Sequence, residues 1–372
     1  MSKPPLIFWQ NMPAHHQVGA LDCLGRDWGA PVMAVWCEDI SPLRRSQGWP
    51  SLERSHLQEV FLPREEWRAA VDGVIRQHPD AVHIFSGIGA YPQISYALES
   101  VEQGIDARYA VMAESPVMLG WRGPLRRIKS AWHYWPRRRR MIGLLAMGQL
   151  AADFYAEIGI PQQRIYPYAY QSLYESKADS VAVVSSRFAY FGQLDHRKGV
   201  DILINALASV RAPFRLDVIG DGPARLSLEA LTRRLGLEDK INFVGTLPSA
   251  ELQLLLPGYA FSVVPSRFDG WGMAVNESLQ AGLPVLVSDR VGSAELVCAS
   301  GAGVVYPMES VKGLAELVQA RLLDSALLSK ERAAALSYRD KLRPQVVGEY
   351  LKDSLEHMIG LRPTKPLPPW RI

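Results

Sequence analysis

The 372-residue sequence has few cysteines, and they follow no ligand or disulfide pattern. Cys23, Cys37 and Cys298 are scattered, odd in number, and form no Cys-x-x-Cys or Cys/His spacing. A disulfide-rich secreted domain and a structural zinc site both depend on such a pattern. The cysteine content therefore indicates a reducing compartment and argues against both classes.

Long apolar runs and a strong net charge are also lacking. The N-terminal stretch "MSKPPLIFWQNMPAHHQ" has no apolar segment of the length that a signal peptide needs. The longest apolar candidate, "MIGLLAMGQLAA" after Arg140, is shorter than the about 20 residues that span a bilayer. The net charge of +3 gives no general argument for nucleic acid. We expect a cytoplasmic protein.

The sequence does contain a regular alternation of short apolar runs and longer helical patterns. One series runs from "PLIFWQ" to "ARYAVMAES", and a second begins near residue 181 with "VAVVSSRFAYFGQL". This alternation is typical of parallel sheets with crossover helices. It predicts two doubly wound α/β domains, with ligands bound in a cleft at the carboxyl ends of the strands.

The domain boundaries follow from the breaks in this alternation. A polar stretch near 172–180 separates the two series, so we place an N-terminal domain at 1–175 and a second domain at 176–345. We expect residues 346–372 to form a C-terminal helix, packing back on the first domain, and a proline-rich surface tail.

Two loops of the second series suit a ligand. In "FGQLDHRKG" a strand ends at a glycine, and Arg197 and Lys198 precede the next helix. Cations beside a helix N-terminus favour a phosphate group, although a basic surface turn explains the same residues. The "GDGP" turn after the following strand leaves room for a ligand, but it is not the GxGxxG of a dinucleotide site.

The stretch "RFDGWGMAVNES" carries two carboxylates eight positions apart, Asp269 and Glu277. We place Asp269 on a glycine-containing loop and Glu277 in the first turns of a helix, so they do not share a helical face. The pair suits either ligand hydroxyls around an anion site or two solvated acids favoured by the helix dipole. The sequence has no Asp-x-Asp motif or histidine cluster here, which counts against a metal.

These residues carry a resemblance to a known family. The order and spacing of four segments are similar to the family 4 retaining glycosyltransferases, also known as glycosyl transferases group 1. These enzymes have the GT-B fold, in which two Rossmann-like domains face each other across a cleft. The segments, between roughly residues 190 and 300, are "GQLDHRKGVDILINAL", "VIGDGPARLSLEAL", "INFVGTLPSAEL" and "VVPSRFDGWGMAVNESLQAGLPVLVSDRVGSAELV".

The resemblance implies that the second domain binds a nucleotide-diphosphate sugar. The family's second acid holds the ribose hydroxyls and falls on Glu277. Its first acid, generally Glu, meets the sugar hydroxyls and falls on Asp269, which is shorter by one methylene. The backbone N–H groups that would meet the diphosphate belong to Gly272, Met273 and Ala274.

The family's basic pair on the diphosphate is only partly preserved. Lys198 matches the lysine, whereas Gln193 stands where arginine is usual. Arg197 is our candidate for the missing charge. Positive charge near the β-phosphate stabilises the leaving group, so we include Lys198 among the catalytic residues.

The first domain supplies candidates for the acceptor side. "HHQVGALDCL" puts His15, His16 and Gln17 on the loop after the first strand, with Gly19 opening the helix, and His16 is a candidate catalytic residue. Glu114 ends a later strand and is a candidate to position or deprotonate an acceptor hydroxyl. A solvated loop and a surface acid are the alternatives.

Residues 122–140, "RGPLRRIKSAWHYWPRRRR", combine eight basic residues with Trp132, Tyr134 and Trp135 and contain no acid. This combination favours an anionic membrane surface or a lipid-linked phosphate. Nucleic acid uses similar features, and a solvated helix pair is the simplest alternative. We expect peripheral contact with the inner face of the membrane and no nucleic acid.

The sequence therefore predicts a retaining glycosyltransferase that moves a sugar to a glycan or lipid-linked acceptor in cell-envelope polysaccharide or lipopolysaccharide synthesis. The nucleotide-diphosphate sugar is a co-substrate, and we expect no cofactor and no metal. Two alternatives stay open: a non-catalytic nucleotide-sugar binding protein, and a GT-B epimerase or hydrolase that acts on the nucleotide sugar.

Overall fold

The computed structural model describes residues 3–41, 54–104, 107–171 and 186–372, which form two compact units. Unit 1 contains the described residues up to 171 and Arg343–Pro369. Unit 2 contains residues 186–342 and Trp370–Ile372. The predicted break at 172–180 and the boundary between 175 and 176 lie outside the described residues.

Unit 1 is built on a parallel sheet whose strands are short apolar runs. The first strand, "LIFWQ", is buried along its whole length, as expected for a sheet covered on both faces. The strands are Leu6–Gln10 (β1), Val32–Trp36 (β2), Gln58–Phe61 (β3), Val82–Ser86 (β4), Arg108–Ala113 (β5), Gly143–Met147 (β6) and Ile165–Tyr168 (β7). Their order is β3-β2-β1-β4-β5-β6-β7, so the winding reverses between β1 and β4.

The helices of this unit connect successive strands, and their apolar faces pack into the core around the sheet. Val71 of the second helix and Ala97 of the third, for example, are both buried. The helices are His15–Asp27 (α1), Trp67–Gln77 (α2), Pro92–Glu102 (α3), Gly123–Tyr134 (α4) and Gly148–Glu157 (α5). The apolar segment "MIGLLAMGQLAA" forms β6 and the start of α5.

Unit 2 repeats the doubly wound arrangement with a second parallel sheet. Its strands are Arg187–Phe191 (β8), Arg215–Ile219 (β9), Ile241–Gly245 (β10), Ser262–Val264 (β11), Val285–Ser288 (β12) and Gly303–Tyr306 (β13). Their order is β10-β9-β8-β11-β12-β13. The winding reverses between β8 and β11, and this point of an open α/β sheet is where ligands bind.

The helices of unit 2 are Val200–Leu207 (α6), Arg225–Arg234 (α7), Ser249–Leu255 (α8), Met273–Gln280 (α9), Ala294–Ser300 (α10), Val311–Leu323 (α11) and Ser325–Tyr338 (α12). The apolar face of α6 is almost wholly buried, which fixes the direction in which the loop before it leaves the sheet. The predicted parallel α/β architecture is confirmed for both units.

The last helix, Pro344–Met358 (α13), packs against α1 within unit 1. A Cβ atom on Gly348 would lie 2.9 Å from the carbonyl oxygen of Ala20, so glycine permits this close approach. The predicted surface tail is wrong at its end, because Trp370 is fully buried in unit 2 and its carbonyl accepts a hydrogen bond from Tyr338. A single apolar anchor in a proline-rich segment has no periodicity by which to predict it.

Candidate functional site

The loop after β8 has one conformation that the surrounding backbone enforces. Asp195 caps a short 3₁₀ turn by accepting a hydrogen bond from the backbone N–H of Lys198 at 3.0 Å. Gly199 follows with a φ of +67°, and a Cβ atom there would lie 2.1 Å from the carbonyl oxygen of Pro265. The loop therefore lies directly against the loop that follows β11.

The loop after β11 is fixed from the opposite side. The N–H of Asp269 donates to the carbonyl oxygen of Arg290 at 2.9 Å, and its own carbonyl accepts from Gly292 at 3.1 Å. Gly272 has a φ of +93°, and a Cβ atom there would lie 2.5 Å from Val291. The chain turns sharply at Gly272 in a conformation that only glycine suits, and α9 begins at the next residue, Met273.

Trp271 is part of the core in this loop. Its side chain is buried, and its indole N–H donates to the amide oxygen of Asn276 at 2.8 Å. Phe268 is buried beside the same turn. The aromatic residues of "RFDGWG" therefore stabilise the loop from inside.

An ion-pair cluster joins the two loops. The ammonium group of Lys198 lies 2.5 Å from Oδ2 of Asp269, and Arg197 lies 3.4 Å from Oδ1. Arg267 forms a second bridge, with two hydrogen bonds of 2.8 Å to Asp201 and one of 3.0 Å to the carbonyl of His196. These contacts fix the position of Lys198 at the switch point of the sheet.

A cavity of about 550 Å³ opens at the carboxyl ends of β8 and β9. This volume is within the range of small-molecule and cofactor sites. Its walls combine glycines, apolar side chains and a few polar groups. The lining residues are Phe191, Gly192, Gln193, Lys198, Ile219, Gly220, Asp221, Thr246, Leu247, Leu252, Met273, Ala274 and Glu277.

Glu277 lies on α9 at the wall of this cavity. Its side chain is partly accessible from the cavity but is otherwise surrounded by protein, and this burial raises its pKa to about 7 although the charge of Lys198 acts in the opposite direction. Within the described part of the chain, no side chain donates a hydrogen bond to this carboxylate. The site therefore holds an acid whose hydrogen-bonding capacity is left for a ligand.

The predicted donor residues do not all reach this cavity. Gln193, Lys198, Met273, Ala274 and Glu277 line it. The other three are not among its lining residues: Arg197 donates to the carbonyl of Phe268 and pairs with Asp269, and Gly272 forms the turn before α9. The ligand roles that we assign to these residues stay predictions.

Sequence reasoning missed the side of the cavity formed by Thr246, Leu247 and Leu252. They lie on the loop after β10 and on α8, inside the segment "INFVGTLPSAEL" that carries the family resemblance. That resemblance was the available signal, since a threonine and two leucines have no chemistry that marks them.

In unit 1, the structure brings Glu114 and His16 to the same aromatic residue. Tyr170 donates a hydrogen bond to Oε1 of Glu114 at 2.9 Å, and its ring centre lies 4.3 Å from that of His16. Burial raises the pKa of Tyr170 well above its ordinary value, and the nearby Glu114 adds to this effect. Tyr170 therefore remains a neutral hydrogen-bond donor, and no sequence pattern indicates its role.

The predicted loop at 15–17 is wrong, because α1 already begins at His15. Its N-cap is Ala14, which makes no side-chain hydrogen bond, so the usual sequence signal of a helix start is missing. Gly19 therefore lies within α1 and does not open it. A Cβ atom on Gly19 would lie 2.6 Å from the side-chain amide of Gln171, so this glycine serves packing.

Two features are absent from the described ranges. They contain no cluster of three or more His, Cys, Asp or Glu side chains that could hold a metal ion. Among the helices in those ranges, none is both long enough and apolar enough to cross a membrane.

Two parallel doubly wound sheets, the second with a cavity at its switch point, define the protein as a member of the GT-B class of folds. Solved structures of this class match nearly the whole chain. Residues 180–342 match the family described as glycosyl transferases group 1. This match lies within the second unit and covers less than half of the chain.

Two solved structures illustrate the similarity in fold. WaaG, a glycosyltransferase involved in lipopolysaccharide biosynthesis, has a TM-score of 0.61 and 19% identity and covers 94% of this chain and 98% of its own. HepE of Anabaena, solved in complex with UDP, has a TM-score of 0.71 and 15% identity and covers 95% of this chain and 100% of its own.

Similarity in sequence is confined to shorter segments. The GDP-mannose:cellobiosyl-diphosphopolyprenol alpha-mannosyltransferase of Xanthomonas oryzae pv. oryzae is 25% identical over 228 residues, which is 59% of either protein. An uncharacterized glycosyltransferase of Methanocaldococcus jannaschii is 32% identical over 121 residues, 32% of this chain and 31% of its own length. The chain therefore spans about a third to three-fifths of these relatives.

Proposed function

We propose that the protein is a retaining glycosyltransferase that uses a nucleotide-diphosphate sugar. The observation that carries this proposal is the cavity at the switch point of unit 2. Its walls bring together a cation, the N-terminus of a helix and a buried acid, provided by Lys198, Met273 and Glu277. A nucleoside diphosphate needs these three kinds of group, since it combines anionic phosphates with ribose hydroxyls.

The diphosphate binds beside Lys198 and the N-terminus of α9. The first N–H groups of a helix have no partner within the helix and carry a partial positive charge. Met273 and Ala274 place such groups at the cavity wall, and Gly272 permits the sharp turn from which the helix begins. Gln193 adds a neutral hydrogen-bond donor from the facing loop.

Glu277 binds the ribose. Ribose hydroxyls are donors, and Glu277 is an acceptor to which no described side chain donates. Placing two hydroxyls on this carboxylate restores the hydrogen bonds that it loses on burial. Occupation of the site therefore favours its ionised form.

Asp269 binds the sugar end of the donor. It also positions Lys198 through their ion pair. Its oxygens are bound by Lys198 and Arg197, so it holds the ammonium group in place. A sugar hydroxyl would share these oxygens. The shorter side chain, relative to the family's glutamate, then selects which sugar fits.

The reaction replaces the bond from the anomeric carbon to the β-phosphate oxygen by one to an acceptor oxygen on the same face. The departing diphosphate takes up the acceptor proton, so the step needs no strong protein base. Lys198 stabilises the negative charge that develops on the leaving group. We propose that this cation and the helix N-terminus together make a metal ion unnecessary.

The acceptor side is assigned to unit 1, where Tyr170 donates a hydrogen bond to Glu114 and packs against His16. Glu114 would orient the acceptor hydroxyl. We propose a cytoplasmic enzyme with a glycan or lipid-linked acceptor in envelope polysaccharide or lipopolysaccharide synthesis. This choice is supported by the structural neighbour WaaG, which is involved in lipopolysaccharide biosynthesis, and by the similar cellobiosyl-diphosphopolyprenol mannosyltransferase of Xanthomonas oryzae.

The test is incubation with UDP-, GDP- and dTDP-sugars, with and without a lipid-diphosphate glycan, in buffer containing EDTA. We expect free nucleotide only when the acceptor is present, and a product with the anomeric configuration of the donor, read by NMR. Nucleotide release without acceptor would identify a hydrolase instead. Binding without turnover for every acceptor would identify a binding protein.

The donor site has its own test in Glu277→Ala, with the exposed acid Glu238→Ala of the same unit as a matched control. We expect Glu277→Ala to weaken nucleotide binding at least tenfold by calorimetry, since a hydrogen bond to a charged group contributes about 1.5–3 kcal/mol. The control should bind normally. Equal affinity in both variants would remove Glu277 from the donor site.

A further inference from the structure

Helix α4 of unit 1 exposes a row of large apolar side chains. Leu125, Ile128 and Trp132 are spaced by three and four residues, so they fall within an arc of about 60° on one face. Trp121 and Trp135 extend the row at the two ends of the helix. These five residues, the apolar stripe, are exposed as follows: Trp121 76%, Leu125 57%, Ile128 65%, Trp132 80% and Trp135 54%.

Basic residues accompany the apolar stripe. On a helical projection, Arg122 and Lys129 lie on the flank next to it, and Arg139 follows just after the helix. Among the described residues, none of these three forms an ion pair with an acid. The stripe is therefore bordered by cations that are available to an anionic partner.

The opposite side of α4 is fixed to the body of unit 1. Tyr134 is buried, with its ring centre 4.8 Å from that of Tyr155, so the predicted surface role of this tyrosine is wrong. Arg126 donates to the carbonyl of Val117 at 2.6 Å. Arg127 pairs with Glu157 at 3.0 Å. The helix therefore presents its stripe in one orientation.

We propose that the apolar stripe of α4 is a docking surface for an anionic lipid bilayer, with the helix lying in the plane of the interface. Aliphatic and indole side chains enter the boundary between head groups and acyl chains, while flanking cations meet the lipid phosphates. A nucleic acid would use the tryptophans and arginines but has no place for exposed Leu125 and Ile128. The bilayer accounts for both kinds of residue.

The position of α4 links this surface to the acceptor side of the enzyme. Glu114, at the end of β5, and Gly123, at the start of α4, are nine residues apart, a distance of at most about 30 Å along the chain. Tyr155, whose ring packs against Tyr134 of α4, also donates a hydrogen bond to the carbonyl oxygen of Glu114 at 3.1 Å. Docking of α4 would therefore bring Glu114 toward the membrane together with the helix. This link rests on the proposed function, whereas the membrane contact does not.

The experiment is co-sedimentation of the full chain with vesicles of phosphatidylcholine alone or mixed with phosphatidylglycerol. We expect binding to the anionic vesicles only, and release as the salt concentration rises, because salt screens charges near a surface. Ile128→Ser with Trp132→Ser should weaken binding at least tenfold. Leu226→Ser with Leu254→Ser removes equally exposed apolar residues from unit 2 and should change nothing.

Three results would overturn the proposal: no binding of the wild type, equal binding to neutral vesicles, or unchanged binding of the stripe variant. Loss of a dimer in the stripe variant, with no vesicle binding by the wild type, would assign the stripe to a second copy of the chain. Nucleotide affinity, measured in parallel, separates the two hypotheses. Vesicle binding without nucleotide binding refutes only the proposed function, and the reverse refutes only the docking surface.

Discussion

Replacing Glu277 by glutamine should stabilise the protein and impair its donor site at the same time. Burial raises the pKa of this carboxyl group from 4.5 to about 7, so the folded state holds its proton more tightly than the unfolded chain does. Below pH 4.5 both states are protonated and there is no penalty. As the pH rises from 4.5 toward 7, the carboxyl group ionises in the unfolded chain before it ionises in the folded protein. The free energy of unfolding therefore falls.

The size of this effect follows from the same pKa difference. Once the group is fully ionised, above pH 7, the penalty is at most about 3 kcal/mol. Access of solvent through the cavity wall reduces it, so we expect about 1–2 kcal/mol in practice. Glutamine is nearly isosteric and carries no charge, so Glu277→Gln should recover this amount at pH 8 and almost none at pH 4.5.

The assay is thermal unfolding of wild type and Glu277→Gln at pH 4.5 and pH 8, without nucleotide. A gain of 1–2 kcal/mol corresponds to a rise of about 2–8 °C for a unit of this size. In a second series, the melting temperatures of both proteins are measured again in the presence of UDP. The wild type should gain stability from the nucleotide, and the variant should gain less, because a ligand stabilises the state that it binds.

Two outcomes would refute this reasoning. If the melting temperatures differ equally at both pH values, the effect of the substitution is not electrostatic. If the variant is less stable than the wild type at pH 8, Glu277 has a stabilising partner within the protein. Glu238→Gln, at an exposed position of the same unit, controls for a general effect of removing negative charge.

The remaining predictions concern the leaving group, the acceptor side and the tail. Lys198→Met should lower kcat about 100-fold, since a single electrostatic contact to a transition state contributes about 3 kcal/mol. The release of free nucleotide in the presence of the acceptor measures this change. Tyr170→Phe, which removes the hydrogen bond to Glu114, should raise the acceptor KM and shift the pH profile while UDP affinity in calorimetry stays unchanged. Trp370→Ala should destabilise unit 2 in urea unfolding by about 3–5 kcal/mol, whereas Leu367→Ala, at an exposed position of the tail, should not.

Much of the fold could be predicted because its signals are local. The strands are short apolar runs between glycines and helical patterns. Both sheets are wholly parallel, and each strand can be recognised from its own apolar run without knowledge of the strands that it pairs with. The sequence predicts that Glu277 lies in the first turns of a helix after "RFDGWG", and the helix begins at Met273, directly after Gly272. The two acids accordingly lie where expected, one on the loop and one on the helix.

The contacts that decide what the site does are not local. Lys198 and Asp269 are 71 positions apart and meet only because β8 and β11 are neighbours at the switch point of the sheet. Tyr170, after β7, donates a hydrogen bond to Glu114, after β5, across 56 positions, and β6 lies between these two strands in the sheet. No periodicity within a segment carries information about such pairs, so sequence reasoning proposed roles for Lys198, Asp269 and Glu114 without their geometry and missed Tyr170.

The geometry separates two acids that look equivalent in the sequence. Asp269 has cations on both oxygens, from Lys198 and Arg197, and joins two loops. Glu277 lies at the cavity wall with a raised pKa and no described side chain as donor. A diphosphate arriving beside Lys198 would compete with Asp269 for the same ammonium group and would weaken that ion pair. Donor binding would then free an oxygen of Asp269 for a sugar hydroxyl, which makes recognition of the sugar depend on the prior placement of the phosphates.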